Sequence, residues 1–379
     1  AGGSVFAATP KRESTDVHAA GNEHSDSNDP DSMALKLVAA GGDTEFRGAD
    51  TRLGFVAVEA VAAAEVRRMA HNEVMRWQGR VFLPVLHAVG KVEAVGDRQV
   101  QNMSALVMEK ADGTLHGMQL GGEELVRVAW ALASTLAALN KAGFIHGDLK
   151  PSNVLWKVPL GGDILSGWPL LTDFGAAQHF PSLQLGREMS PSAEVHTSAW
   201  TPKFAAPEVR EKHGRLQTVR SDMFAWAATI RAVSSKDEPI GAILESTLEE
   251  CSATHPERRP RDFVEIAGRL EQPSYVMWGK ELQRSQQWLE GERLSNSNRT
   301  AVEAVTLLAE EREVWRKCSS CSQCSSEEVS EAYFFLSVAH SRAAKPDAAV
   351  KALQKSVVWH PEHARQGAWL VNLGNAYGK

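Results

Sequence analysis

Apolar and polar positions change their rhythm three times along the chain. Residues 1–33 hold few apolar side chains, with Val5 and Val17 as the aliphatic ones and Phe6 as the aromatic, among Ser, Asp, Asn, Gly and His. So little apolar surface does not offset the cost of ordering a chain, and the segment is expected to be disordered. From Leu35 to about Val107, short runs with β-type character alternate with turn residues; Leu35–Val38, Phe55–Val58 and Ala105–Met108 are predicted strands, and one helical stretch, 61–77, interrupts them. After Gly121 the apolar spacing becomes three and four, and the first such stretch, Glu123 to Lys141, is a predicted helix. A sheet-rich part followed by a helix-rich part predicts a bilobed α+β domain. Beyond Arg269 the pattern is helical throughout, at 276–294, 300–317 and in two helices between Glu328 and Trp359, with a Ser/Cys-rich connector at Cys318–Ser326 and another helix opening near Gly367.

Composition narrows the partners more than the fold. The 379 residues suggest two or three domains, and 43% hydrophobic with 23% charged residues is ordinary globular composition. A formal net charge of −6 without a block of Lys and Arg argues against nucleic acid and anionic membrane as partners. No apolar run approaches the roughly 18 residues that would suggest a membrane span. No secretory signal opens the sequence, which begins at Ala1 rather than Met and stops inside a repeated pattern; a fragment is one reading of that. Four cysteines do not make a disulfide framework, so a reducing, cytoplasmic setting is expected.

The run His146-Gly-Asp-Leu-Lys-Pro-Ser-Asn-Val-Leu155 carries the strongest chemical signal. It resembles the catalytic loop of protein kinases. Further segments follow in compatible order: Asp173-Phe-Gly175 after the apolar Pro169–Thr172, Thr201–Glu208 ending in Ala-Pro-Glu, Ser221–Ala227, and Pro256–Pro260. Together they are similar to the motif set of that family. The resemblance implies a bilobed kinase fold using ATP and Mg²⁺. Asp148 would take or orient the proton of the substrate hydroxyl, and Lys150 would stand near the transferring phosphate. Asn153 and Asp173 would hold the metal, whose chemistry favours oxygen ligands. Asp222 would anchor the catalytic loop and Arg259 would pair with Glu208. The Leu149–Ser152 content and Thr201 resemble serine/threonine rather than tyrosine kinases.

The N-terminal part departs from the family. Met108, Glu109 and Ala111 resemble the hinge that meets adenine through its backbone, and Ala57 and Leu155 are the further nucleotide-binding positions the resemblance implies. The phosphate-covering loop should read G-x-G-x-x-G-x-V. In the stretch Ala39–Phe46 the resemblance keeps only Gly41, with Phe46 at the valine position. Val56-Ala-Val-Glu59 puts Glu59 where the family has the lysine that meets phosphate, facing the helix glutamate, Glu73, as a like charge. Lys36 and Lys91 are the nearest substitute cations. Gly147 replaces the arginine that normally pairs with a phosphorylated activation segment, and Ser190, Ser192, Thr197 and Ser198 are read as a polar loop rather than as phosphosites.

The C-terminal region resembles tetratricopeptide repeats. Tyr333, Leu336, Ser337 and His340 match first-helix positions, Ala349, Leu353 and Pro361 the second helix and turn, and Leu370, Leu373, Gly374 and Tyr377 begin another, truncated repeat. Trp288, Ala304 and Leu308 echo the spacing. An ordinary helical hairpin is the plainer alternative. Cys318, Cys321 and Cys324 are read as plain thiols rather than metal ligands. The expected organisation is a disordered segment at 1–33, a kinase domain at 34–272, a helical linker or degenerate repeat at 273–329, and repeats at 330–379. The expected function is a serine/threonine protein kinase acting on protein substrates, with a repeat module that binds a protein partner. A pseudokinase scaffold is the competing reading, favoured by Glu59 and the eroded glycine loop.

Overall fold

A computed structural model describes residues 4–7, 33–39, 60, 62–64, 66, 79–95, 98–159, 162–174, 177–179, 200–211, 217–290, 302, 305–306, 309–310, 313 and 326–361. Among the described residues, four strands form the N-terminal sheet: β1 (Ser4–Ala7), β2 (Met33–Ala39), β3 (Leu86–Val95) and β4 (Arg98–Glu109), in the order β1-β2-β4-β3. All three pairings are antiparallel. The sheet corrects the expectation of disorder at its first strand. Ser4–Ala7 pairs with residues 34–37, so the apolar pair Val5 and Phe6 belongs to a ladder; residues 8–32 lie outside the described residues. Composition averaged over 33 positions hides a four-residue strand whose partner lies about thirty residues downstream. Of the predicted helix at 61–77, the described residues Ala62, Ala63, Ala64 and Val66 are helical and buried, as is Ala60 just before it.

The helical lobe is built on α1 (Gly122–Lys141), one residue longer at its start than the apolar spacing predicts. From Val128 to Leu139 every residue is buried. A helix that is apolar on all sides belongs at the centre of a lobe, and Glu123 and Glu124 at its start with Lys141 at its end suit the helix dipole. Around it stand α2 (Pro207–Glu211), α3 (Val219–Val233), α4 (Ala242–Cys251) and α5 (Phe263–Leu270). A capping box starts α3: Thr218 accepts from the Ser221 amide and Ser221 accepts from the Thr218 amide. The Asp262 carboxylate caps α5 through the Glu265 amide at 2.9 Å. Short strands at the lobe junction complete the scaffold: β5 (Gly113–Thr114), β7 (Val154–Lys157) and β8 (Trp168–Leu171) make one sheet, and β6 (Phe144–Ile145) pairs with β9 (Gln178–His179).

Helix α6 (Pro273–Glu290) runs back towards the N-terminal sheet and packs against residues 79–86. Backbone meets backbone where Gly279 crosses Gly79. A Cβ on Gly279 would stand 2.1 Å from the Gly79 carbonyl oxygen, and Gly79 itself has φ +73°, a conformation that favours glycine. Trp278 then packs on Phe82 and Trp168, with ring centroids 5.2 and 6.0 Å apart, and the Arg127 guanidinium lies over its ring.

Two further helices, α7 (Ser326–Arg342) and α8 (Pro346–Trp359), are joined by a tight turn through Ala344, whose φ is +54°. The Ser330 hydroxyl near the start of α7 bonds the Ser356 carbonyl near the end of α8 at 2.7 Å, so the pair is antiparallel. Ala349 and Leu353 are fully buried on α8, and Tyr333, Leu336 and Ser337 are buried on α7. The further repeat expected from Leu370 to Tyr377 and the three cysteines at 318–324 lie outside the described residues. Among the described residues, no helix is long and apolar enough to cross a membrane.

Candidate active site

Residues 146–153, whose sequence resembles the kinase catalytic loop, sit between β6 and β7, where the chain turns at Gly147. Its φ of +82° is a conformation glycine adopts without penalty. That turn aims two consecutive amides at one carboxylate: His146 N–H donates to Asp222 Oδ2 at 2.7 Å and Gly147 N–H to Asp222 Oδ1 at 3.0 Å. Asp222 comes from α3 and is 2% exposed. Burial pushes its carboxyl above the ordinary carboxylate range, against the pull of His146 and of the two amides. The Gly147 carbonyl accepts from Gln217 Nε2 at 2.7 Å, so the loop is held from both sides.

His146 ties this loop to the next. Its Nδ1 accepts from the Asp148 amide at 3.3 Å, so Nε2 carries the hydrogen and donates to the Thr172 carbonyl at 3.1 Å. Its ring also packs on Phe174, with centroids 5.4 Å apart. The Thr172 amide in turn donates to the Asn153 carbonyl at 3.1 Å. Asp173, next in the chain, has φ +64°, a left-handed conformation that is uncommon for a residue with a side chain and clusters at functional sites.

Three polar side chains meet at Asp148. Lys150 Nζ donates to Asp148 Oδ2 at 2.5 Å and to Thr201 Oγ1 at 2.9 Å, while the Thr201 hydroxyl donates to Asp148 Oδ1 at 2.7 Å. Asn153 Nδ2 donates to the Asp148 carbonyl at 2.8 Å, which leaves its amide oxygen as the atom suited to a cation. A shallow cleft opens beside Asp148, lined by Trp200, Thr201, Phe204 and Gln217. The geometry can take a proton at Asp148 beside a fixed cation, which is chemistry for activating a hydroxyl.

The Glu208–Arg259 pair expected from the sequence is present. Arg259 Nη1 and Nη2 donate to Glu208 Oε1 and Oε2 at 2.7 and 2.9 Å, and the remaining donors reach the carbonyls of Ala253, Arg220 and Thr254. The Arg259 side chain is fully buried, whereas that of Glu208 is 21% exposed. Arg259→Met is therefore expected to cost about 3–5 kcal/mol, because a mostly buried carboxylate and three carbonyls lose their donors. Urea denaturation of both proteins measures this, and a loss below about 1 kcal/mol, the range of a surface pair, would show that the pair does not anchor the segment.

On the nucleotide side, Met108 and Glu109 at the end of β4 are 1% and 2% exposed. The connection that follows is fastened to β7: the Asp112 amide donates to the Trp156 carbonyl at 2.8 Å, and Lys157 Nζ donates to the Lys110 carbonyl at 2.8 Å. Ala111 and Leu155 are half-buried beside it. Gly41, Phe46, Ala57, Glu59 and Glu73 lie outside the described residues, as do Ser190, Ser192, Thr197 and Ser198. The strand bonded to β4 is Met33–Ala39, with Ala34 opposite Met108 and Lys36 opposite Leu106. Its run Met33-Ala-Leu-Lys36 has the form of the V-A-I-K lysine motif. That signal is visible in the sequence but is overshadowed by Val56-Ala-Val-Glu59. Lys91 sits on β3, at the opposite side of β4, facing Ser104. Cys251, the fourth cysteine, is buried in the helical lobe, where burial pushes its thiol up to about 12, so it is no thiolate ligand.

A small sheet is thus joined to a helical lobe, with an Asp–Lys–Asn loop at their junction. Residues 89–269 match the family described as the protein kinase domain. The chain is 37% identical over 209 residues to the serine/threonine-protein kinase PkaA of Streptomyces coelicolor, covering 52% of this chain and 36% of that protein. It is 27% identical over 202 residues to the probable serine/threonine-protein kinase PknB of Lactococcus lactis, covering 50% of this chain and 29% of that protein. A rice relative, CBL-interacting protein kinase 16, is 29% identical over 194 residues, covering 49% of this chain and 39% of that protein. The chain thus spans about a third of the length of these relatives. The family match and the relatives support the protein kinase superfamily.

Proposed function

We propose that this protein is an ATP- and Mg²⁺-dependent serine/threonine kinase that transfers the γ-phosphoryl group to protein hydroxyls. The observation that carries the reading is the closed set of contacts among Asp148, Lys150 and Thr201 above Asn153. Phosphoryl transfer asks a protein for positioning and charge stabilisation rather than covalent chemistry. Asp148 orients the acceptor hydroxyl and receives its proton. Lys150, held between Asp148 and Thr201, stabilises charge on the transferring group. The Asn153 amide oxygen and the Asp173 carboxylate are the oxygen-type donors that suit Mg²⁺, which would neutralise phosphate charge when bound. The cleft beside Trp200 and Phe204 takes the residue following the acceptor.

The hinge backbone at Glu109–Ala111 addresses adenine, with Ala57 and Leu155 about the base. Lys36 is the cation that meets the phosphates. Support for it comes from the ladder, which pairs Lys36 on β2 with Leu106 of β4, two residues before Met108, and from its motif. Gly41 and Phe46 in the phosphate-covering loop, and Glu59 facing Glu73, remain the positions that the resemblance implies, and with Glu59 in the lysine position a scaffold without phosphotransfer is the alternative reading. Helices α7 and α8 serve as the partner-binding module, supported by the burial of Ala349, Leu353 and Tyr333 at repeat positions. A cytoplasmic setting accords with cytosolic ATP chemistry.

The test is transfer of labelled phosphate from ATP to generic protein substrates by the full chain, with and without Mg²⁺, followed by analysis of the phosphorylated residues. Mg²⁺-dependent label on Ser or Thr is expected. Nucleotide binding without any transfer would instead favour the scaffold.

A further inference from the structure

Helix α6 follows the stretch matched by the kinase family, yet its buried side touches the part of the molecule where nucleotide would bind. Its approach is fixed by several contacts to the segment before β3. Arg80 forms a two-pronged pair with Glu271, which precedes the helix, at 2.8 Å on each arm. The Gly79 amide donates to Gln283 Oε1 at 2.9 Å. One turn further along α6 is Gln286, 3% exposed. Its Nε2 donates to the Leu83 carbonyl at 2.9 Å and to Glu109 Oε2 at 2.8 Å. The same Glu109 oxygen accepts from the Val85 amide at 3.2 Å, and the Glu109 amide donates back to the Val85 carbonyl at 2.7 Å. Among the described residues, the donors to this buried carboxylate are Val85 and Gln286.

A carboxylate this deeply buried needs its donors, because an unmet lone pair loses the solvation water had provided. If the Gln286 donor is removed, Glu109 has reason to turn towards solvent, and its backbone turns with it. That backbone belongs to the end of β4 and leads directly into Ala111. Small displacements of a positioning backbone carry large consequences for a bound ligand.

We propose that Gln286 is a positioning residue for nucleotide, acting through the Glu109 carboxylate to set where the Glu109–Ala111 backbone stands. The proposal rests on the reading of that backbone as the adenine contact. Helix α6 is on this account a working part of the nucleotide site, although it touches no nucleotide itself.

Gln286→Met in the full chain keeps the side-chain length and removes the donor. Its dissociation constant for ATP with Mg²⁺, measured by calorimetry, is expected to rise about tenfold, the loss of one charge-assisted hydrogen bond. In the kinetics, KM for ATP should rise while kcat changes little, the pattern of lost binding rather than lost chemistry. Combining Glu109→Met with Gln286→Met should recover much of the affinity, since an apolar pair leaves no buried group unmet. Amide exchange in Gln286→Met should quicken at 83–86 and 108–112 and stay unchanged in α1 and α3. Wild-type binding of ATP with an unaltered Gln286→Met constant overturns this proposal alone. Faster exchange throughout α1 and α3, showing general loosening, also overturns it. Failure of the wild type to bind ATP overturns the adenine reading, and this role with it.

Discussion

Asp148→Asn is expected to slow phosphotransfer by about 10²–10⁴-fold, the usual contribution of a positioned general base. The substitution is nearly isosteric, so the loop should keep its shape. The two amides bonded to Asp222, the turn at Gly147 and the Asn153–Asp148 contact involve backbone or other side chains and survive it. What changes is local. One oxygen can still accept from Thr201, but the amide that replaces the other oxygen points hydrogens at Lys150 Nζ, which now donates to Asp148 Oδ2. The variant therefore loses both the proton acceptor and the partner that steadies the lysine. ATP affinity, set largely elsewhere, should be little altered. A variant retaining wild-type turnover in a steady-state assay would remove Asp148 from the reaction.

Lys36→Met should weaken binding of ATP with Mg²⁺ by about a thousandfold. A unit charge at roughly 4 Å and an effective dielectric near 20 is worth on the order of 4 kcal/mol, and each ~1.4 kcal/mol is a factor of ten. Glu59→Lys is the informative companion. If Glu59 held the lysine position, as Val56-Ala-Val-Glu59 suggests by resemblance, that change would strengthen binding. With Lys36 in the role, it should bring no gain. Calorimetric titration of both variants decides between them: tight binding by Lys36→Met together with a gain in Glu59→Lys would return the role to position 59.

The two residues show what a sequence discloses and what it withholds. The loop from His146 to Leu155 is legible because its parts lie within ten positions, and short-range order makes a motif. The Glu208–Arg259 pair is legible only because both ends lie inside recognisable motifs, 51 residues apart. Lys36 is harder. Its place depends on which strand pairs with β4, and the ladder joins residues about 70 positions apart. The strand at Ser4–Ala7 is hidden for the same reason, since pairing rescues a segment whose composition alone argues for disorder. Gln286 and Glu109, 177 residues apart, carry no pattern at all. A polar residue on the buried side of a helix looks like an exposed one until its partner is known. The α7–α8 hairpin is the opposite case, because two helices joined by a short turn are local in sequence and their apolar spacing is visible there.

The crossing of Gly79 and Gly279 bears on how such proteins can be recombined. The family resemblance stops at residue 269, and a module boundary drawn there would separate two glycines whose backbones touch. A chain joined to a different C-terminal module at that point would have to bring its own glycine to the crossing, its own ring for Phe82 and Trp168, and its own donor for Glu109. None of these is exchangeable one at a time. A seam at which foreign helices can be grafted without repacking residues 79–86 therefore lies beyond α6.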